Sequence, residues 1–215
     1  MARRTPVTKK LGRPRDVDSS ETRNALLDVA RRIFASDGYG ATTNRSIATE
    51  VGITTGAIYH YFPSKAELYA EVYEVVQHIV YDRFELVLVE PGTLTDRFSR
   101  ALDAAVELNR SDSSIAGFVV TVPSEMQRHP ELAELLVPIR NRTATFIGRL
   151  VADAVEAGEF LEGVNSAAVE DLLNSVLSGL AIFSTVTGDV ERHRQAVTAL
   201  QQFLAGDLVR SRTPG

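Results

Sequence analysis

Between Thr42 and Lys65 the chain reads TTNRSIATEVGITTGAIYHYFPSK, and few folds accommodate that pattern. Ile47 and Val51 are four apart and share one helix face, with Ile53 and Ile58 as the next apolar positions. Ala48 is small where a second helix must cross closely. Gly52 falls where the chain reverses, a point that calls for a left-handed backbone. Thr54 then opens a second helix as an N-cap. Counted from Ala48, the glycine comes four residues later and the apolar positions fall at −1, +3, +5 and +10. This is helix-turn-helix spacing, in which the second helix enters the major groove of DNA.

With Ile58 committed inward, the outward face carries Thr55, Gly56, Ala57, Tyr59 and His60. Glycine lets the backbone approach a phosphate or base edge, and threonine, tyrosine and histidine donate to phosphate oxygens or base acceptors. Thr43 is placed to cap the first helix of the pair, with Arg45 just inside it. Pro63 stops the second helix, and Ser64 to Glu67 forms a capping box for the next, with Lys65 in its first turn as a phosphate seat. The expected phosphate contacts are therefore Thr43, Arg45, Thr54, Thr55, Tyr59, Tyr61 and Lys65, while Gly56, Ala57 and His60 face bases. Residues 1–15 add six basic side chains and no acid, reading as a disordered arm. Either it is a solvated tail, or Arg13 and Arg15 extend into the minor groove.

The run TGAIYHYFPSKAEL resembles the recognition-helix signature of the tetracycline-repressor (TetR) family of bacterial transcription regulators. Thr54, Gly56, Ile58, Tyr59, Tyr61, Phe62, Lys65 and Leu68 match its fixed positions. The resemblance implies a repressor that binds a palindromic double-stranded operator as a homodimer and is released by a small effector. An effector-independent architectural or activating DNA binder is the alternative.

Net charge of −5 fits a DNA binder only when divided: residues 1–65 carry +5 and residues 66–215 carry −10. One end faces a polyanion and the other is repelled from it. The chain has no cysteine, hence no disulfide and no thiolate nucleophile. Its apolar runs fall short of the roughly 20 residues of a membrane helix, and a soluble cytoplasmic protein is expected. His60, His78, His129 and His193 are scattered without a partner at i+3 or i+4, so no metal or cofactor site is expected. With no nucleophile motif either, an enzyme has no residues to rest on.

The periodicity predicts an all-α chain: a three-helix DNA-binding domain over 16–65, joined by a long helix to a bundle over 66–210. The first helix should run from Asp18 or Ser19 to Ser36, burying Leu26, Leu27, Ala30, Ile33 and Phe34, with Tyr39 plugging that core. A rod from Ser64 to about Val89 follows, ended by Glu90-Pro-Gly92. Then come helices over 93–109 and 115–127, a loop over 111–114, and a helical stretch from Pro130 to Glu156 with a break or bend at Pro138. Two last helices, 166–187 and 189–208, are apolar on one broad face. They either close the monomer core or, as the resemblance implies, form a four-helix dimer bundle through Val169, Leu173, Val176, Leu177, Leu180, Val197, Leu200 and Leu204. The resemblance further implies an apolar effector cavity in the bundle. Candidates for its wall are Phe84, Phe118, Val122, Met126, Phe146 and Phe183, with Tyr81, Arg142 and Asn174 orienting an apolar or amphiphilic ligand.

Overall fold

The computed structural model describes residues 15–139 and 142–209, and over these the fold is helical throughout. Helix α1 runs Arg15–Ala41, α2 Asn44–Val51, α3 Thr55–Ile58 and α4 Lys65–Leu88. The bundle continues with α5 Leu94–Ser111, α6 Ser113–Arg128, α7 Pro130–Leu136, α8 Arg142–Glu156, α9 Ser166–Thr187 and α10 Val190–Ala205.

Helix α1 starts earlier than expected and is interrupted at Gly38 (φ 78°, ψ 167°) rather than ending at Ser36. That backbone region is essentially restricted to glycine. It swings Tyr39 under Phe34, ring centroids 6.1 Å apart, and the two are buried as expected. The Thr43 side chain accepts from the Ser46 N–H while Ser46 reaches back to the Thr43 backbone, a complete capping box for α2. Gly52 takes the left-handed conformation (φ 80°) and Thr54 caps α3 through the Ala57 N–H at 3.2 Å. Ser64 caps α4, but Glu67 answers to the Ser64 hydroxyl at 3.1 Å rather than to its backbone.

Helix α4 is the 24-residue rod, about 36 Å at 1.5 Å per residue. The expected loop over 111–114 contracts to one residue: Asp112 both ends α5 and caps α6. At Pro138 the expected break or bend is a break: the stretch from Pro130 to Glu156 is two helices, α7 and α8, with a turn at Val137–Ile139 between them.

The end of the molecule that holds α1, α2 and α3 is not a separate bead. Phe34 of α1, Tyr69 of α4 and Phe118 of α6 form one aromatic cluster, with centroid distances of 4.9 Å (Phe34–Tyr69), 4.8 Å (Tyr69–Phe118) and 6.5 Å (Phe34–Phe118). Gly117 lets α6 approach α1 closely, since a Cβ there would lie 3.4 Å from the Ala35 Cβ. The core therefore runs across the expected boundary at residue 65.

Candidate nucleic-acid interface and ligand cavity

Ile47, Ala48, Ile58 and Phe62 are all essentially inaccessible, which fixes how α2 and α3 turn. Their outer surface then presents Thr43, Arg45, Thr54, Gly56, Tyr59 and His60 exposed, with Thr55 and Ala57 half-buried. Tyr59 is 55% exposed, although burial was open to a residue so aromatic. Arg13 lies outside the described residues; Arg15 opens α1 instead of closing an arm.

Two of the expected contacts are corrected. Lys65 points inward: its Nζ donates to the Tyr39 carbonyl at 2.7 Å and the Thr42 carbonyl at 2.8 Å, and sits 4.1 Å from the centroid of the Tyr39 ring. Burial pulls its ammonium below the ordinary value, against the Glu131 and Glu125 carboxylates, which favour the charge. It ties the start of α4 to the α1–α2 junction instead of seating a phosphate. Tyr61 is half-buried in a groove lined by Glu67, Glu71 and Glu74, an acidic wall that repels phosphate. Arg23 is likewise engaged, with Glu71 at 2.6 Å and over the Phe62 ring at 5.3 Å.

A cavity of about 160 Å³ lies between α4, α5, α6, α8 and α9. A smaller chamber of about 60 Å³ adjoins it and shares Ala105, Asn109, Ala116, Leu177 and Ala181 with its wall. Of the expected effector residues only Tyr81 and Phe84 reach the main cavity. Tyr81 and Thr143 hydrogen-bond through their hydroxyls. Burial raises the Tyr81 phenol above its ordinary value, though that hydrogen bond and Arg142 oppose it.

The other candidates serve elsewhere. Phe118 and Val122 belong to the core shared with α1, and Met126 packs against its edge. Phe146 backs Phe84 at 5.2 Å from behind the wall. The Arg142 guanidinium is held at the surface by Asp82 at 2.8 Å, Glu85 at 3.2 Å and His78 at 2.9 Å. Asn174 is half-buried off the wall, and Phe183 lies under Arg192 at 5.7 Å. Residues that periodicity missed include Gln77, Asn109 and Ser178. Gln77 is 3% exposed, and its Oε1 has no hydrogen-bond partner. A glutamine in the apolar register of α4 was the available signal.

The expected dimer set also divides. Leu173 and Val197 are buried within the monomer, Leu177 lines both chambers, and Leu180 lines the smaller one. Val169, Val176, Leu200 and Leu204 are half-buried against the core. The uncovered stripe of α9 lies instead on Leu172, Ser175, Gly179, Ile182 and Val186, spaced three and four apart, and Phe203 of α10 is exposed as well. Helix α9 also corrects the expectation of no apolar run of membrane length. It is long and apolar enough to cross a bilayer, yet only 6% of its most apolar stretch is buried.

Both cavity-lining helices that touch the DNA-reading end are anchored there. Helix α4 brings Gln77, Val80, Tyr81 and Phe84 to the cavity and Lys65 to the α1–α2 junction. Helix α6 brings Ile115, Ala116 and Val119 to the cavity, and Asp112 and Ser114 at its start hold the buried Arg31 of α1 at 2.5 and 3.0 Å. Burial pushes the Asp112 carboxyl up, but Ser114 and the Arg31 guanidinium outweigh it and hold it below the usual range.

Comparison with known proteins agrees with this geometry. Residues 26–72 match the family described as bacterial regulatory proteins, tetR family, and residues 94–208 match the BetI-type transcriptional repressor C-terminal domain. The chain is 24% identical over 194 residues to the HTH-type transcriptional regulator UidR of Escherichia coli K12, covering 90% of this chain and 96% of that protein. It superposes on Salmonella enterica GusR with a TM-score of 0.61 at 28% identity, covering 93% of this chain and 99% of that one. The fold is also that of FadR from Bacillus subtilis in complex with stearoyl-CoA, with a TM-score of 0.67 at 18% identity over 83% of this chain and 96% of that one.

Proposed function

We infer the function from one premise: the chain belongs to the TetR family of bacterial transcriptional regulators. It is a DNA-binding transcriptional regulator, and its relatives are regulators rather than enzymes. Beyond that, we read it as a cytoplasmic repressor that grips a two-fold operator as a homodimer and releases it when a small effector fills the bundle.

The observation that carries this reading is the polar outer surface from Thr43 to His60, standing clear of a core that buries Ile47, Ala48, Ile58 and Phe62. In this reading Arg45, Thr43, Thr54, Thr55 and Tyr59 hold phosphates, and Gly56, Ala57 and His60 face base edges. Within residues 19–65, Arg23, Arg31 and Lys65 are engaged internally, which leaves Arg32 and Arg45. Much of the attraction for DNA must then come from the six basic residues of 1–15.

A two-fold operator needs recognition helices about 34 Å apart or a multiple of that. The stripe through Leu172, Gly179, Ile182 and Val186 suits a second copy: Gly179 allows close approach, while Glu170, Asp171 and Ser175 on the same helix are ill-suited to lipid. An occupied cavity is favoured over a fully packed, effector-independent bundle by the cavity volume and by the unpaired Gln77 Oε1. FadR, whose structure holds stearoyl-CoA, supports an effector site in this kind of bundle. Because α4 and α6 each join the cavity to the DNA-reading end, a ligand that prefers one tilt of these helices changes the separation of the two α3 helices. A 100-fold preference shifts that balance by about 2.7 kcal/mol per site.

The test is selection of duplexes from a random library by the full chain, with sedimentation to fix the subunit count. A palindromic site bound by two copies is expected, with Arg45→Ala lowering the slope of log affinity against log salt by about 0.9. A chain that sediments as a monomer at micromolar concentration and enriches no sequence sinks the reading.

A further inference from the structure

The wall of the cavity says what kind of molecule belongs in it. Among the described residues its polar lining is Gln77, Tyr81, Asn109, Thr143 and Ser178, the rest is aliphatic or aromatic, and none is Lys, Arg, Asp or Glu. The smaller chamber adds His193, which is 3% exposed and whose Nδ1 lacks a partner; burial lowers its pKa and so disfavours the charged ring. Among the described residues, Arg142, next to the wall residue Thr143, is held outside the wall by Asp82 and Glu85. A carboxylate, phosphate or quaternary ammonium would enter without a counter-charge, and an unpaired ion in such surroundings is costly to bury.

Size narrows the class further. About 160 Å³ is close to the volume at which an engineered apolar cavity in another protein takes up one benzene ring. The adjoining 60 Å³ beyond Asn109 has room for a short substituent. Polar demand sets the last constraint. Tyr81 and Thr143 satisfy each other, whereas the Gln77 Oε1 is buried with nothing to accept from. Such an acceptor gains most from a ligand hydroxyl or N–H.

Resting on the effector-responsive reading above, we propose that the effector is an uncharged compound built on one ring, or on an equally compact hydrocarbon skeleton, that carries an O–H or N–H donor to the Gln77 Oε1. The ligand class follows from the juxtaposition of a charge-free wall, a ring-sized volume and one orphaned carboxamide oxygen.

Benzyl alcohol, toluene, benzoate and octanoyl-CoA are the probes, applied to the full chain in calorimetric titrations and melting scans. Benzyl alcohol is expected to raise the melting temperature and to bind at least tenfold more tightly than benzoate. Gln77→Leu, close to volume-conserving, should weaken benzyl alcohol about five- to tenfold while toluene binds no worse. Ala105→Phe, which fills the cavity from a different helix, should abolish binding of both. The proposal is overturned if benzoate or octanoyl-CoA matches benzyl alcohol, if neither neutral ring compound binds the unmodified chain, or if Gln77→Leu leaves the preference for benzyl alcohol over toluene unchanged. Affinity for the selected duplex, measured in the same samples, separates the two readings. Release by octanoyl-CoA alone keeps the regulator and discards the ligand class. Tight binding of benzyl alcohol with no effect on DNA keeps the ligand class and discards the effector-responsive regulator.

Discussion

Replacing Lys65 with methionine separates two jobs that one ammonium can do. In the structure its Nζ donates to the Tyr39 and Thr42 carbonyls and lies over the Tyr39 ring. Hydrogen bonds from a charged donor contribute about 1.5–3 kcal/mol each, and a cation over an aromatic face about 0.5–1 kcal/mol. The side chain is half-buried, so water replaces part of what is lost, and the net cost comes to about 3 kcal/mol. In a chain of this size that lowers the melting temperature by about 6–12 °C. A phosphate ligand would behave differently: stability would hold, and the salt slope of DNA binding would fall by about 0.9. Methionine keeps most of the stem, so the packing along α4 is little disturbed. Melting curves and salt titrations on the selected duplex, the latter run well below both melting temperatures, give the two readouts independently. An unchanged melting temperature with a slope reduced by about 0.9 would refute the assignment of Lys65 to the interior.

Three further outcomes are expected. Gly38→Ala should destabilise the chain by about 2 kcal/mol in urea unfolding. The added Cβ meets the Glu125 Oε1 at 2.8 Å, and φ of 78° with ψ of 167° strains any L side chain. Asp112→Asn retains the cap on α6 but removes the charge facing the buried Arg31; a loss of about 2 kcal/mol is expected, since Asp28 remains as a partner. Because the Asp112 pKa is depressed in the fold, its contribution is present above about pH 4 and lost as pH falls through the folded value, so the variant should lose less stability than the parent on acidification. At alkaline pH the sign reverses. Burial raises the Tyr69 and Tyr81 phenols, so their contribution is whole below about pH 10 and declines above it; Tyr69→Phe should flatten that decline in pH-stepped urea titrations.

Local chemistry was readable wherever one residue type answers one backbone need. Gly52, Thr43, Thr54 and Ser64 each do what short-range rules ask of them, because caps and left-handed turns involve only neighbours a few residues away. The polar face of α2 and α3 followed from the same rules once Ile47 and Ile58 were turned inward. Where the reading failed, the missing information was long-range. Lys65 sits in the first turn of a helix, as a phosphate-binding lysine would, and nothing nearby in sequence reveals that the carbonyls 23 and 26 residues earlier lie within its reach. Asp112, the one residue left of the loop expected at 111–114, is held by Arg31, more than 80 residues away along the chain.

The bundle shows the same division more strongly. An apolar period marks a helix and gives it an inner side, but α9 is apolar on more than one side, so periodicity could not tell Leu173, which is buried, from Leu172, which is not. Phenylalanines are conspicuous in sequence and were assigned to the effector, yet Phe118 and Phe146 fill core while small Ala105, Ala116 and Ala181 leave the space. A void is made by what several helices jointly fail to fill. Pattern along one chain therefore settled which segments become helices, how they are capped and which face of the pair stays polar and exposed, because those depend on neighbours in sequence. The cavity, the uncovered stripe of α9 and the inward turn of Lys65 depend on which helices meet in space, and only the packed fold decided them.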